Sequence, residues 1–250
     1  MGADATLLLI ALTVPLVLGS LFALAFGFYM GVLGPDGGTA MMRHAPFLYA
    51  GFLMIPLGVL FALDGVSRLG VWFAPPLGTD AVLIVLGIAL GALLFSMELR
   101  AVSALHRLLR RDGGVRAAVE GGSASLNASG LAGAPIVFVV IIISAGEEII
   151  WRGFLLDIGQ SVWSLTPAIA VLLAAVAFGV NHWYFGLQNV VLKTLSGLAW
   201  GALAVISATL WPVVVSHTTF SLATIVRLKR QARDKRGDPI GARDPLRTSV

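Results

Sequence analysis

Glu147, Glu148 and Arg152 fall within six positions of the segment Gly146 to Phe154, directly after ten uncharged residues from Ile136 to Ala145. Placing a charged side chain at the middle of a bilayer costs at least ~2.5–3.5 kcal/mol, so such residues face a polar interior and mark working sites. A carboxylate beside a neutral imidazole can take a proton from water and make it nucleophilic. The same residue types can also ligate a metal ion. Two imidazoles are available in apolar surroundings, His182 at the end of one apolar segment and His217 inside another, whereas His44 and His106 lie in or near basic loops. Glu148 and Arg152 are four apart, share a helix face and can pair, with the glutamate on the favoured N-terminal side. Glu147 points about 100° away from Glu148. Arg152 can therefore hold one carboxylate while the other faces a cavity.

The elements that carry these residues are apolar helices. Of 250 residues, 58% are hydrophobic and 12% charged, about half the charged share of ~25% usual for a soluble domain. This composition excludes a soluble enzyme and predicts an all-α polytopic membrane protein of about seven transmembrane helices, with the site in the C-terminal four-helix portion. The spans are expected at Leu7 to Met30, Pro46 to Leu63, Ala81 to Met97, Leu131 to Ile158, Thr166 to His182, Val190 to Ala208 and Leu210 to Leu228. Gly146 and Gly153 bracket the charges of the fourth span and allow a bend. Gly87 and Gly91 form a small-xxx-small pair, a pattern for close helix packing. Pro167 and Pro212 fall in first turns, where proline is tolerated. The chain has no cysteine, which excludes disulfides and thiolate chemistry.

Three regions follow. Residues 1–130 form an N-terminal three-span region with a basic cytoplasmic loop, whose part after Glu98 reads as an amphipathic surface helix and then a Gly/Ser/Asn connector. Residues 131–228 form the core that carries the site, and residues 229–250 a basic flexible tail. Fourteen of the seventeen basic residues lie on one side of a seven-span arrangement. The positive-inside rule then places the N-terminus outside and the C-terminus in the cytoplasm of a multi-pass protein integral to the cell membrane. Lys193, near an end of the sixth span, is expected to snorkel. The tail is expected to touch anionic lipid rather than nucleic acid.

Glu147-Glu148 with Arg152 resembles the E-E-x-x-x-R motif, and Phe178 with His182 the F-x-x-x-H motif, of the CAAX-protease and bacteriocin-processing (CPBP, or Abi) family of intramembrane proteases. His217, after the glycine-rich stretch Gly197 to Gly201, falls where that family has the histidine of its last motif. The resemblance covers about Leu131 to Leu228. It implies hydrolysis of a peptide bond in the membrane, with Glu147 and His182 activating the water, His217 contacting the oxyanion, and Glu148 and Arg152 supporting the geometry. It departs from the family at Ser221, where an Asn or Asp is usual four residues after the histidine.

The resemblance implies an intramembrane endopeptidase acting on a membrane-associated peptide or protein, its other partners being membrane lipids. Two alternatives stand beside it: an inactive relative serving as a membrane scaffold or binding protein, which Ser221 motivates, and a proton-coupled transporter using Glu147, His182 and His217 as a relay. Either a metal-free general base or a Zn2+ ion held by Glu147, His182 and His217 can supply the hydrolytic chemistry. The missing H-E-x-x-H spacing favours the former.

Overall fold

The computed structural model describes residues 51, 54, 58, 67–75, 78–109, 134–161, 163–183, 187–207 and 209–237. The spans expected at Leu7 to Met30 and, but for residues 51, 54 and 58, at Pro46 to Leu63 lie outside these residues, as do the connector and the end of the tail. The described chain is all-helical. Its six helices are α1 (Ser67–Trp72), α2 (Thr79–Leu109), α3 (Ala134–Ser161), α4 (Pro167–Val180), α5 (Leu187–Ile206) and α6 (Trp211–Gly237).

Only three of them, α2 over Thr79–Ala104, α3 and α5, are long and apolar enough to cross a membrane. The expectation of seven spans is therefore not met by the described helices. The reasons are physical. α4 has 14 residues, a rise of about 21 Å at ~1.5 Å per residue, against a hydrocarbon core of ~30 Å. α6 is 27 residues long, but Ser216, His217, Thr218, Thr219, Ser221 and Thr224 thin out its apolar run. The residues that make α6 useful to the site are those that weaken it as a span.

α2 also departs from expectation. It continues unbroken through Leu109, so the first part of the basic segment extends this helix instead of forming a separate one on the surface. No glycine or proline occurs between Glu98 and Leu109 to stop it. α6 likewise runs on to Gly237, taking the basic residues up to Arg236 into the helix.

Helix packing relies on small residues at close approaches. α2 lies along α6, and α4 along α5. A Cβ on Gly87 would stand 2.5 Å from the Pro212 carbonyl oxygen, and one on Gly91 would collide with that of Ser216, so the small-xxx-small reading holds. On α5, a Cβ on Gly197 would meet Ala175 at 3.0 Å, and one on Gly201 would meet Val171 at 2.8 Å. α3 packs against α6 at its first part and against α4 further on. α1 caps the start of α6: Leu210 N–H donates to the Trp72 carbonyl (2.8 Å) and Trp211 Nε1–H to that of Ala74 (3.1 Å). Thr166 is extended ahead of Pro167, as the sequence requires of a helix start. Large apolar side chains cover the outward faces, among them Val82, Val85, Leu86 and Leu93 of α2 and Ile169, Leu172 and Val176 of α4. Apolar area of this extent suits acyl chains better than water.

Candidate active site

α3 changes its winding at the point where its charges begin. Ala134–Glu148 is α-helical, Ile149–Leu155 is a π-helix, and Leu156–Ser161 is α-helical again. π turns are rare and are frequently found at functional sites. Ile150 to Leu155 are all buried. Gly153, within the π turn, faces the Trp72 ring, which a Cβ would approach to 3.0 Å.

Glu148 and Arg152 pair as their spacing predicts, Nη1 to Oε1 at 3.1 Å, and both side chains are shut off from the surface. The guanidinium carbon lies 4.5 Å from the centre of the Phe178 ring and 5.6 Å from that of Trp200. Nη2 makes a long contact, 3.4 Å, to the Gly197 carbonyl. A charge held between aromatic faces and a carboxylate is compensated without water.

α6 brings His217 to the same carboxylate. Its Nδ1 stands 2.7 Å from Glu148 Oε1 and its Nε2 3.5 Å from Glu147 Oε2. Trp200 stacks on the imidazole, centroids 4.2 Å apart and planes at 24°, and its own Nε1–H donates to Ser216 Oγ at 3.0 Å. The ring plane is thus set from one side by Trp200 and from its edge by Glu148. Opposite a carboxylate, Nδ1 is the nitrogen that carries the proton in the neutral ring, which leaves Nε2 as the acceptor facing Glu147. The 3.5 Å gap is longer than a usual direct hydrogen bond.

His182 lies just past the end of α4, half-buried. Its Nδ1–H donates to the Phe178 carbonyl at 2.8 Å and its ring meets that of Phe178 edge-on, centroids 4.7 Å apart. The Phe178 ring is itself 6.0 Å from that of His217. Ser221, one turn beyond His217, is half-buried and makes no hydrogen bond to a described residue.

Distances therefore tie Glu147, Glu148, Arg152 and His217 directly together and bring His182 to the Phe178 ring that borders them, while Ser221 is not joined to the group. Sequence reasoning missed Trp200 and Ser216, which hold the imidazole. A tryptophan between Gly197 and Gly201 in an apolar helix was the available signal. It also misjudged Lys193. This side chain does not snorkel but pairs with Glu98 of α2 at 3.1 Å and lies 4.4 Å over the Phe220 ring. Glu98 is presented to it because α2 continues past its expected end.

The donors do not fit a zinc site made of Glu147, His182 and His217. No group of three or more His, Asp or Glu side chains among the described residues is arranged to hold a metal ion. The label metalloendopeptidase has no support here, and no step below passes through a metal.

Carboxylates and imidazoles are thus gathered from packed helices of an all-helical bundle in which three described helices are long and apolar enough to cross a membrane. Residues 130–223, which contain every one of the candidate side chains, match the family model described as type II CAAX prenyl endopeptidase Rce1-like. Over these residues the chain is similar to the CPBP family. No curated protein and no solved structure matches the chain.

Proposed function

We propose that the protein is an intramembrane endopeptidase that hydrolyses a peptide bond with a water activated by Glu147, its imidazole partners and no metal. The observation that carries this reading is the His217 ring held between two buried glutamates, Nδ1 on Glu148 and Nε2 towards Glu147. The family match supports the reaction class.

Glu147 takes a proton from the attacking water, with His182 Nε2 as a second acceptor, and the hydroxide adds to the scissile carbonyl carbon. The carbonyl oxygen becomes an oxyanion. The proton on Glu147 then has His217 Nε2 only 3.5 Å away. Its transfer creates an imidazolium whose charge Glu148 meets at Nδ1, and whose Nε2–H can be given up to the departing nitrogen. Collapse of the intermediate breaks the C–N bond, leaving a new carboxyl group and an amine. Arg152 offsets the charge of Glu148 throughout and keeps that carboxylate in place. This distribution gives His217 a proton-carrying part in addition to the oxyanion contact implied by the resemblance.

The substrate we infer is a membrane-associated peptide or protein, reached within the lipid phase, with the chain lying N-terminus out and C-terminus in the cytoplasm. The test uses full-length protein in proteoliposomes with a panel of lipid-anchored fluorogenic peptides. Wild-type protein should cleave at least one, and Glu147→Gln and His217→Ala should each abolish cleavage. Cleavage that survives both changes, or no cleavage of any peptide by the wild type, rejects the reading.

A further inference from the structure

Asn181 stands immediately before His182, three residues after Phe178, whose ring lies among Trp151, Trp200, His182, His217 and Arg152. At ~3.6 residues per turn, positions 178, 181 and 182 share one face, so Asn181 is on the side of α4 that meets the site. The residue is 4% exposed and its Oδ1 is buried with no hydrogen-bond partner. A buried polar group left in this state calls for an explanation.

Local structure does not provide one. Asparagine is common just after a helix because it tolerates left-handed backbone, but Asn181 has φ −59° and ψ −14°, ordinary right-handed values. Nor does its side chain cap the helix: its backbone N–H reaches the carbonyls of Ala177 and Gly179. The amide serves neither turn geometry nor helix termination, yet it is placed beside a histidine of the site.

A side-chain amide presents an acceptor and a donor next to each other, the complement of what a peptide backbone offers. We propose that Asn181 binds the substrate at the scissile bond, Oδ1 accepting a substrate N–H and Nδ2 donating to the scissile carbonyl and then to the oxyanion. The assignment rests on the peptidase reading. It also answers the departure at Ser221, whose short hydroxyl is not joined to the site: the amide donor that α6 lacks there is supplied from the end of α4.

The test compares Asn181→Leu and Asn181→Asp with the wild type, in proteoliposomes, on the lipid-anchored peptide that the wild type cleaves best. Loss of an oxyanion donor lowers kcat by ~10²–10³, and both variants should show it with an unchanged thermal midpoint. Asp retains the acceptor, so its KM should stay closer to the wild-type value than that of Leu. Adding Ser221→Asn to Asn181→Leu should recover at least ~10-fold in kcat by returning an amide donor to the site. A kcat within ~3-fold of wild type in Asn181→Leu would overturn the assignment while leaving the peptidase reading intact, since Glu147→Gln would still be inactive. A fall in kcat that tracks a fall in thermal midpoint, without recovery by Ser221→Asn, would show a packing role and overturn it too. Absence of cleavage by the wild type would remove the reading and the assignment together.

Discussion

Two ion pairs lie against rings of one connected aromatic group, and they are built on opposite principles. Glu148–Arg152 is local, one turn of one helix, shut off from the surface and enclosed by Phe178, Trp200 and His217. Glu98–Lys193 joins residues 95 apart in the chain, on α2 and α5, with side chains 12% and 13% exposed and Phe220 beneath the ammonium. The first shares its carboxylate with a third group, the imidazole. The second closes on itself. Burial with a shared oxygen distinguishes the pair at the candidate site from a tie between helices. The tie still matters, because Phe220 packs against Trp200, and Trp200 stacks on His217.

The comparison can be broken most sharply at Arg152. Arg152→Met leaves Glu148 buried without its cation, a change that costs ~3–5 kcal/mol. Activity should vanish and the unfolding midpoint should drop steeply, both measurable on reconstituted protein. A variant that keeps its stability would show that the local pair is not what compensates Glu148. Next in size is Gly91→Leu, which drives a side chain into the Ser216 carbonyl one residue before His217. Overpacking of this kind costs ~1–3 kcal/mol, and cleavage should fall with it as α6 is pushed off α2. Wild-type stability and activity in that variant would mean that the two helices do not approach so closely.

Lys193→Met should cost about 1 kcal/mol, the upper end for a pair that retains some exposure to water. Cleavage should fall only slightly. In a double-mutant cycle with Glu98→Leu the coupling should be smaller than that between Glu148→Leu and Arg152→Met. A larger coupling for Glu98–Lys193 would reverse the ranking. The smallest effect is with salt. Raising it to 1 M shortens the screening length to ~3 Å and should weaken the Glu98–Lys193 coupling while leaving that of Glu148–Arg152 unchanged within error.

The local pair was legible because i,i+4 spacing on a helix brings two side chains together whatever the rest of the chain does. For the same reason, the glycine pair of α2 and the proline starts of α4 and α6 could be read directly. Lys193 was misread because its partner depends on how far α2 extends, and that extent was underestimated. The span count is matched only in part among the described helices, for a related cause. Hydropathy alone separated α2, α3 and α5, while α4 is short and α6 is diluted by the hydroxyls and the histidine it brings to the site. The π turn had no signal beyond Gly153, since its winding depends on what packs around it.

By itself the amino-acid sequence determined that the chain is helical and lipid-seeking, that Glu148 can hold Arg152, and which residue types were available for acid–base chemistry. These follow from side-chain periodicity and transfer energies, which act over one or two turns. Only the tertiary structure decided that His217 reaches both glutamates, that Trp200 sets its plane, that Lys193 turns to Glu98, and that the Asn181 amide is buried without a partner for its oxygen. Each of those outcomes depends on the distance and angle between helices far apart in the chain, and those are set by the close contacts of Gly87, Gly91, Gly197 and Gly201, not by any local pattern.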